Sequence, residues 1–153
     1  MSESQHKTLL GWREWVALPE LGIKALKAKV DTGARTSTLH AFRIESFEVE
    51  GKARLRFAIH PLQKRTDVVI ECEADVFDRR EVTDSGGHTE LRYVILTPMH
   101  LAGRDIPIEI TLTDRDSMKF RMLLGRTTLC NEFIVDPDGS YLTGKPARGK
   151  PIT

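Results

Sequence analysis

At 153 residues, with 40% hydrophobic and 29% charged side chains, the chain has the size and composition of one soluble globular domain built on a single core. Its formal net charge of +1 argues against bulk electrostatic capture of nucleic acid or of an anionic membrane. No apolar run approaches a membrane span, the polar residues 1–7 lack the apolar core of a secretory signal, and Cys72 and Cys130, far apart in sequence, read as reduced thiols of a cytoplasmic protein.

In chain order, residues 1–10 are expected to be a flexible lead-in. Residues 12–18 and 23–30 flank Pro19-Glu20-Leu21-Gly22, a turn sequence, so they predict a hairpin. Residues 44–50 alternate, Gly51-Lys52 turns the chain, and residues 53–59 alternate back, giving a second hairpin with a charged wet face. Residues 68–72 open a further strand region that runs on toward Val82. Asp84-Ser85-Gly86-Gly87-His88 is a glycine-centred turn, and a strand at 91–96 follows it. Residues 106–112 alternate cleanly, with Pro107 marking an edge or a bulge. A short apolar strand, 120–124, ends at Gly125, and one short helix is placed around 126–131. Residues 144–153 carry Lys145, Arg148 and Lys150 without an acid and read as a flexible basic tail. The folded part is thus 11–143, an all-β, barrel-like domain of short strands.

Two motifs carry chemistry. Asp31-Thr32-Gly33-Ala34 directly follows the strand at 23–30. A carboxylate held at a strand end in a Thr-Gly turn is half of an acid-base pair, and a second copy of the chain can supply the other half. The bland reading of Asp31 is an Asx-type turn that merely ends a hairpin. The companion is Met122-Leu123-Leu124-Gly125-Arg126, where two apolar residues and a glycine can pack beneath the aspartate turn because glycine permits close backbone approach. His40 and Arg35 lie near Asp31 in sequence and read as solvated or capping groups.

With these two motifs in order, the sequence resembles the retropepsin-like aspartic peptidases, whose half-site is Asp-Thr-Gly-Ala followed much later by apolar-apolar-Gly. More closely, it is similar to a bacterial family that carries the name ATP-dependent zinc protease, through residues 11–16, 29–35, 84–87, 92–95 and 123–126. The resemblance implies a closed retropepsin-like barrel with one short C-terminal helix. It implies a homodimer in which Asp31 of each subunit activates water on an extended peptide or amide, with Thr32 bracing the pair through its hydroxyl and Gly33 exposing a backbone donor. Ala34 and Arg35 would contact substrate, with Ser85, Gly86 and Gly87 as a flap, and residues 44–70 would be an insertion. Leu123, Leu124, Gly125 and Arg126 would support the site. Retroviral members often carry an acid where this chain has Arg35, so the partner of Arg126 must lie elsewhere. A basic residue there also favours acidic peptides. Association of the family with ATP-grasp amino-acid ligases implies an amide made by such a ligase as substrate.

The zinc and ATP of that family name find little support in the residues. His6, His40, His60, His88 and His100 include no His-Glu-x-x-His and no close pair, and the cysteines no Cys-x-x-Cys, so no metal is expected. Gly139-Ser140-Tyr141-Leu142-Thr143-Gly144-Lys145 fits a phosphate-loop pattern only until Pro146, which stands where a magnesium-binding Ser or Thr belongs, so it reads as a turn entering the tail and no cofactor is expected. Two other readings stand beside the peptidase: a non-catalytic barrel that binds an extended peptide, and a zinc hydrolase.

Overall fold

The structure, a computed structural model, describes residues 7–84, 86–114 and 119–145. Among these residues twelve strands and one α-helical turn follow one another: β1 (Thr8–Leu10), β2 (Arg13–Leu18), β3 (Ile23–Val30), β4 (Ser37–His40), β5 (Phe42–Val49), β6 (Lys52–Ile59), β7 (Ile70–Asp75), β8 (Asp78–Thr83), β9 (Thr89–Leu101), β10 (Arg104–Thr113), β11 (Met122–Leu124), α1 (Arg126–Leu129) and β12 (Phe133–Val135). The strands run in the order β10-β4-β11-β3-β2-β9, and pairing of β9 with β10 closes them into a six-stranded barrel. The fold is therefore the all-β closed barrel with one short helix that the sequence predicts.

Alternation explains the wall. Along β2 and β3, Glu14, Val16, Leu26 and Ala28 are buried while Arg13, Trp15, Lys27 and Lys29 take the other face. Leu18, Ile23, Leu26, Leu39, Ile95, Met99, Ile110, Met122 and Leu124 have no exposed surface and fill the core. Pro19–Leu21 forms a single 3-10 turn that Gly22 ends at φ 77°, in the left-handed region glycine favours. Pro107 lies opposite Pro98 on β9, in the part of β10 that precedes its pairing with β4, so the missing N–H costs no ladder bond on that side.

Residues 44–59 lie in β5 and β6 and are joined by the loop 60–69 to β7, in a three-stranded sheet, β5-β6-β7, that packs Leu55, Phe57, Ile59 and Cys72 onto the same core. Its wet face is a charged ladder, as the alternation predicts: Arg54 meets Asp75 at 2.6 Å and Arg56 meets Glu73 at 3.4 Å. The hydrogen bond from Arg54 holds the Asp75 carboxyl below its ordinary range.

Several boundaries differ from the sequence reading. Thr8–Leu10, within the segment expected to be flexible, form β1 in parallel with β12, and Leu10 is fully buried. Residues 1–6, and 146–153 of the expected tail, lie outside the described residues. The region from 68 to 82 divides into β7 and β8, because Val76 and Phe77 leave β7 and bond to β6 and β9 through Ala53 and Val94. The helix ends at Leu129, and β4 is a strand the alternation does not reveal.

Candidate active site

Asp31 sits where β3 leaves the barrel. Its N–H donates to the Leu124 carbonyl at 2.9 Å, directly continuing the parallel pairing of Val30 with Leu124. Its side-chain Oδ1 accepts the Gly33 N–H at 3.0 Å, and its carbonyl accepts the Ala34 N–H at 3.2 Å. The carboxylate is thus held by its own turn, an Asx geometry, and the bland reading describes its local bonds correctly.

The second motif locks that turn from below. The N–H groups of Arg126 and Thr127 donate to the carbonyls of Ala34 and Arg35, both at 2.9 Å. Gly125 N–H donates to Ser37 Oγ at 3.1 Å, and that hydroxyl pairs with Thr128 Oγ1 at 2.6 Å. Arg126 Nη1 donates to the Thr32 carbonyl at 3.2 Å. The arginine whose acidic partner is absent therefore holds the backbone of the aspartate turn instead. Leu124 is core, whereas Leu123 faces the opposite side beside Thr38.

Above this floor lies a cleft of about 960 Å³, lined by Asp31, Gly33, Ala34, Arg35, Leu123 and the β8 residues 80–83 together with Asp84. The structure thus brings the Asp31 turn and the β8–β9 hairpin to one cavity. Thr32 is exposed beside it. At the hairpin tip, Asp84 Oδ1 accepts the N–H groups of Gly86 and His88, each at 2.9 Å, and Gly87 takes φ 86°. Gly86 and Gly87 are exposed and stand at the tip rather than in the cleft wall, and Ser85 lies outside the described residues.

Sequence reasoning passed over two wall residues, Arg80 and Glu109, which join at 2.7 Å across the cleft side of the hairpin. Arg80 also holds Asp78 at 2.7 Å, and that hydrogen bond pulls the Asp78 carboxyl below its usual range. It passed over Arg92 as well, a buried guanidinium bonded to Glu90 at 2.6 Å and, at 3.4 Å, to Thr38 and Thr111. Charged residues within strands read as a wet face, so nothing in the sequence marked Arg80, Glu109 or Arg92 as cleft or core groups.

The remaining histidines are dispersed. His40 is buried on β4, His60 stacks on Phe42 at 4.4 Å, His88 sits at the hairpin tip and His100 meets Asp105 at 3.0 Å. Among the described residues, no three His, Cys, Asp or Glu side chains form a group able to hold a metal ion. No helix among them is long and apolar enough to cross a membrane. Gly139 to Lys145 form turns packed on the start of β2, where Tyr141 N–H donates to the Arg13 carbonyl at 2.9 Å.

The family model described as RimB-like, "Retropepsin-like aspartic endopeptidase RimB", matches residues 9–146. The chain belongs to this RimB-like family. A solved structure from Legionella pneumophila, of a protein of unknown function (DUF785), shares the fold with a TM-score of 0.74 at 26% identity, over 89% of this chain and 98% of that one. Curated relatives named "Probable alpha-L-glutamate ligase" from Shewanella pealeana and Desulfotalea psychrophila are 45% and 44% identical over 93% and 90% of this chain. The chain spans 31% and 30% of the length of those two relatives.

Proposed function

We propose that this RimB-like chain is an aspartic-type peptidase or amide hydrolase that works as a homodimer, with Asp31 of each subunit meeting across a two-fold axis. The observation that carries this reading is the Asp31 turn, fixed from below by Gly125 and Arg126 and opening into a cleft that β8 of the β8–β9 hairpin lines. One chain offers one such aspartate, and two are needed. Two carboxylates about 3 Å apart do not both ionise, so the pair shares a proton. The ionised member takes a proton from a bridging water as its oxygen attacks the amide carbon. The protonated member donates to the carbonyl oxygen. When the tetrahedral intermediate collapses, the carboxyl that took the proton from water gives it to the leaving nitrogen, the other carboxylate recovers a proton from the gem-diol hydroxyl, and the C–N bond breaks. Thr32, exposed in the single chain, is free to brace the partner's turn. Gly86 and Gly87 offer a hairpin tip that can close over an extended substrate by backbone pairing.

The names of the relatives support a substrate class. A hydrolase module that matches a third of proteins named as α-L-glutamate ligases is suited to an amide that such a ligase forms, and the carboxylates of that product fit an exposed Arg35 at the cleft.

The test is Asp31→Asn in the dimer, assayed on glutamate-containing peptides. Loss of all cleavage with the dimer retained, and no effect of chelators on the unsubstituted protein, is the expected result. Persistent cleavage by the substituted protein contradicts the reading, and binding without turnover in the unsubstituted protein favours a peptide-binding barrel.

A further inference from the structure

Among the described residues, the Asp31 cleft offers an acidic chain one unengaged cation, Arg35. Asp31, Glu81, Asp84 and Glu109 line it against two cations, and one of those, Arg80, is already engaged by Asp78 and Glu109. The complementary charge lies next door. Arg13, Trp15, Lys27 and Lys29 form the outward face of β2 and β3, paired Arg13 with Lys29 and Trp15 with Lys27. Lys145 reaches the same face, with its ammonium 4.7 Å from the Trp15 ring centre, and Lys27 lies 5.4 Å from that centre. The Arg13 guanidinium stands 4.5 Å over Trp12 and 4.9 Å over Tyr141. Among the described residues none of these four cations forms a salt bridge, whereas Arg54, Arg56, Arg65, Arg80, Arg92 and Arg104 each pair with a carboxylate. Rings position Arg13, Lys27 and Lys145 without neutralising them, and Arg13 Nε also donates to Ser140 Oγ at 3.1 Å.

This face is continuous with the cleft floor. Lys29 pairs with Leu123 on β11, and Leu123 pairs with Thr38 on β4. Leu123 and Thr38 both line the cleft. At about 4.8 Å between strands, Lys29 stands one strand from the cleft floor and Arg13 two.

We propose that the outward face of β2 and β3, extended by Lys145, is a docking surface for an acidic polypeptide segment. The proposal rests on the reading of the cleft as a peptide site and supplies what the cleft lacks, a hold on acidic residues away from the scissile bond. Lys27 and Lys29 are two residues apart on one strand, about 7 Å, which is the spacing of alternate side chains on an extended chain laid alongside. An acidic peptide fits better than a single-stranded nucleic acid. The Trp12, Trp15 and Tyr141 rings already carry cations, whereas base stacking needs bare ring faces.

The test uses Asp31→Asn protein, so that binding is read without hydrolysis. A hexaglutamate peptide is titrated against tryptophan fluorescence at low and high salt, and the titration is repeated with Lys27→Gln and Lys145→Gln added and the fold checked by circular dichroism. The expected result is about tenfold weaker binding after the two substitutions, from two exposed charge contacts, and a shallower dependence on salt. Unchanged affinity, or tighter binding of a deca-thymidine oligonucleotide than of the peptide at the same ionic strength, overturns the proposal. Cleavage of the peptide by the unsubstituted protein is scored separately. Its absence counts against the peptidase reading while the titration still decides the surface.

Discussion

A β-carbon placed on Gly125 would lie 2.5 Å from the Thr36 carbonyl carbon and 2.6 Å from its oxygen. Backbone meets backbone here, so no side chain can swing aside. This contact joins the two motifs, because Thr36 follows the aspartate turn and Gly125 ends β11. Gly125→Ala is therefore expected to destabilise the protein by about 3 kcal/mol, the upper end for overpacking. Urea unfolding checks it, and a loss below about 0.5 kcal/mol would mean that the turn does not need this approach.

Glu14 predicts a second structural dependence. Its fully buried carboxylate accepts from Gly11 N–H at 2.6 Å, Leu142 N–H at 3.0 Å, and the Thr143 N–H and hydroxyl at 3.2 and 2.9 Å. One acid thereby fastens the glycine-rich segment 139–145 to the start of β2. Glu14→Ala leaves buried donors unpaired and is expected to cost about 2–3 kcal/mol and to open residues 139–145 to proteolysis. Unaltered hydrogen exchange at Leu142 and Thr143 in the variant would contradict this.

Cys72 gives a pH dependence with a definite sign. It is buried against the Leu21 carbonyl, at 3.4 Å, and burial pushes its thiol up from 9.0 to about 12. Between these values the unfolded chain loses the proton and the folded chain keeps it, so stability falls as pH rises. The decline attributable to this thiol is at most about 1.4 kcal/mol per pH unit. Urea midpoints of the protein and of Cys72→Ala should diverge less at pH 10.5 than at pH 8.5. An equal gap at both would contradict the assignment.

Arg35 tests substrate preference at the cleft. It is exposed at the rim, and its carbonyl is held by Thr127, which leaves the guanidinium free to turn toward substrate. Arg35→Glu is expected to lower kcat/KM for peptides with an acid beside the scissile bond by about tenfold and to change neutral peptides little. Equal cleavage of charge-reversed peptides by the unsubstituted protein would sink the preference.

Much of this architecture was legible in the sequence because short alternating strands and two short motifs fix a barrel. The hairpins at Gly22 and Gly51, the Asp31 turn and the close approach of Gly125 follow from local chemistry. β4 escaped because Ser37-Thr38-Leu39-His40 is buried at every position by neighbours on both sides, so it shows no alternation. β1 and β12 escaped because each is only three residues long and exists through the other, a pairing between opposite ends of the chain. The hold of Arg126 on the Thr32 carbonyl was hidden because backbone acceptors leave no mark in the sequence. Arg92 was hidden for a related reason, since a buried cation is made tolerable by Glu90, Thr38 and Thr111, two of them on other strands.

The most direct test of the central claim is the distance between the two Asp31 carboxylates in a crystal structure of the protein purified as a dimer. The account predicts a two-fold axis through the site with the carboxyl oxygens about 3 Å apart, or bridged by one water. A dimer that holds the two aspartates far apart, or a stable monomer that cleaves peptides, would contradict it.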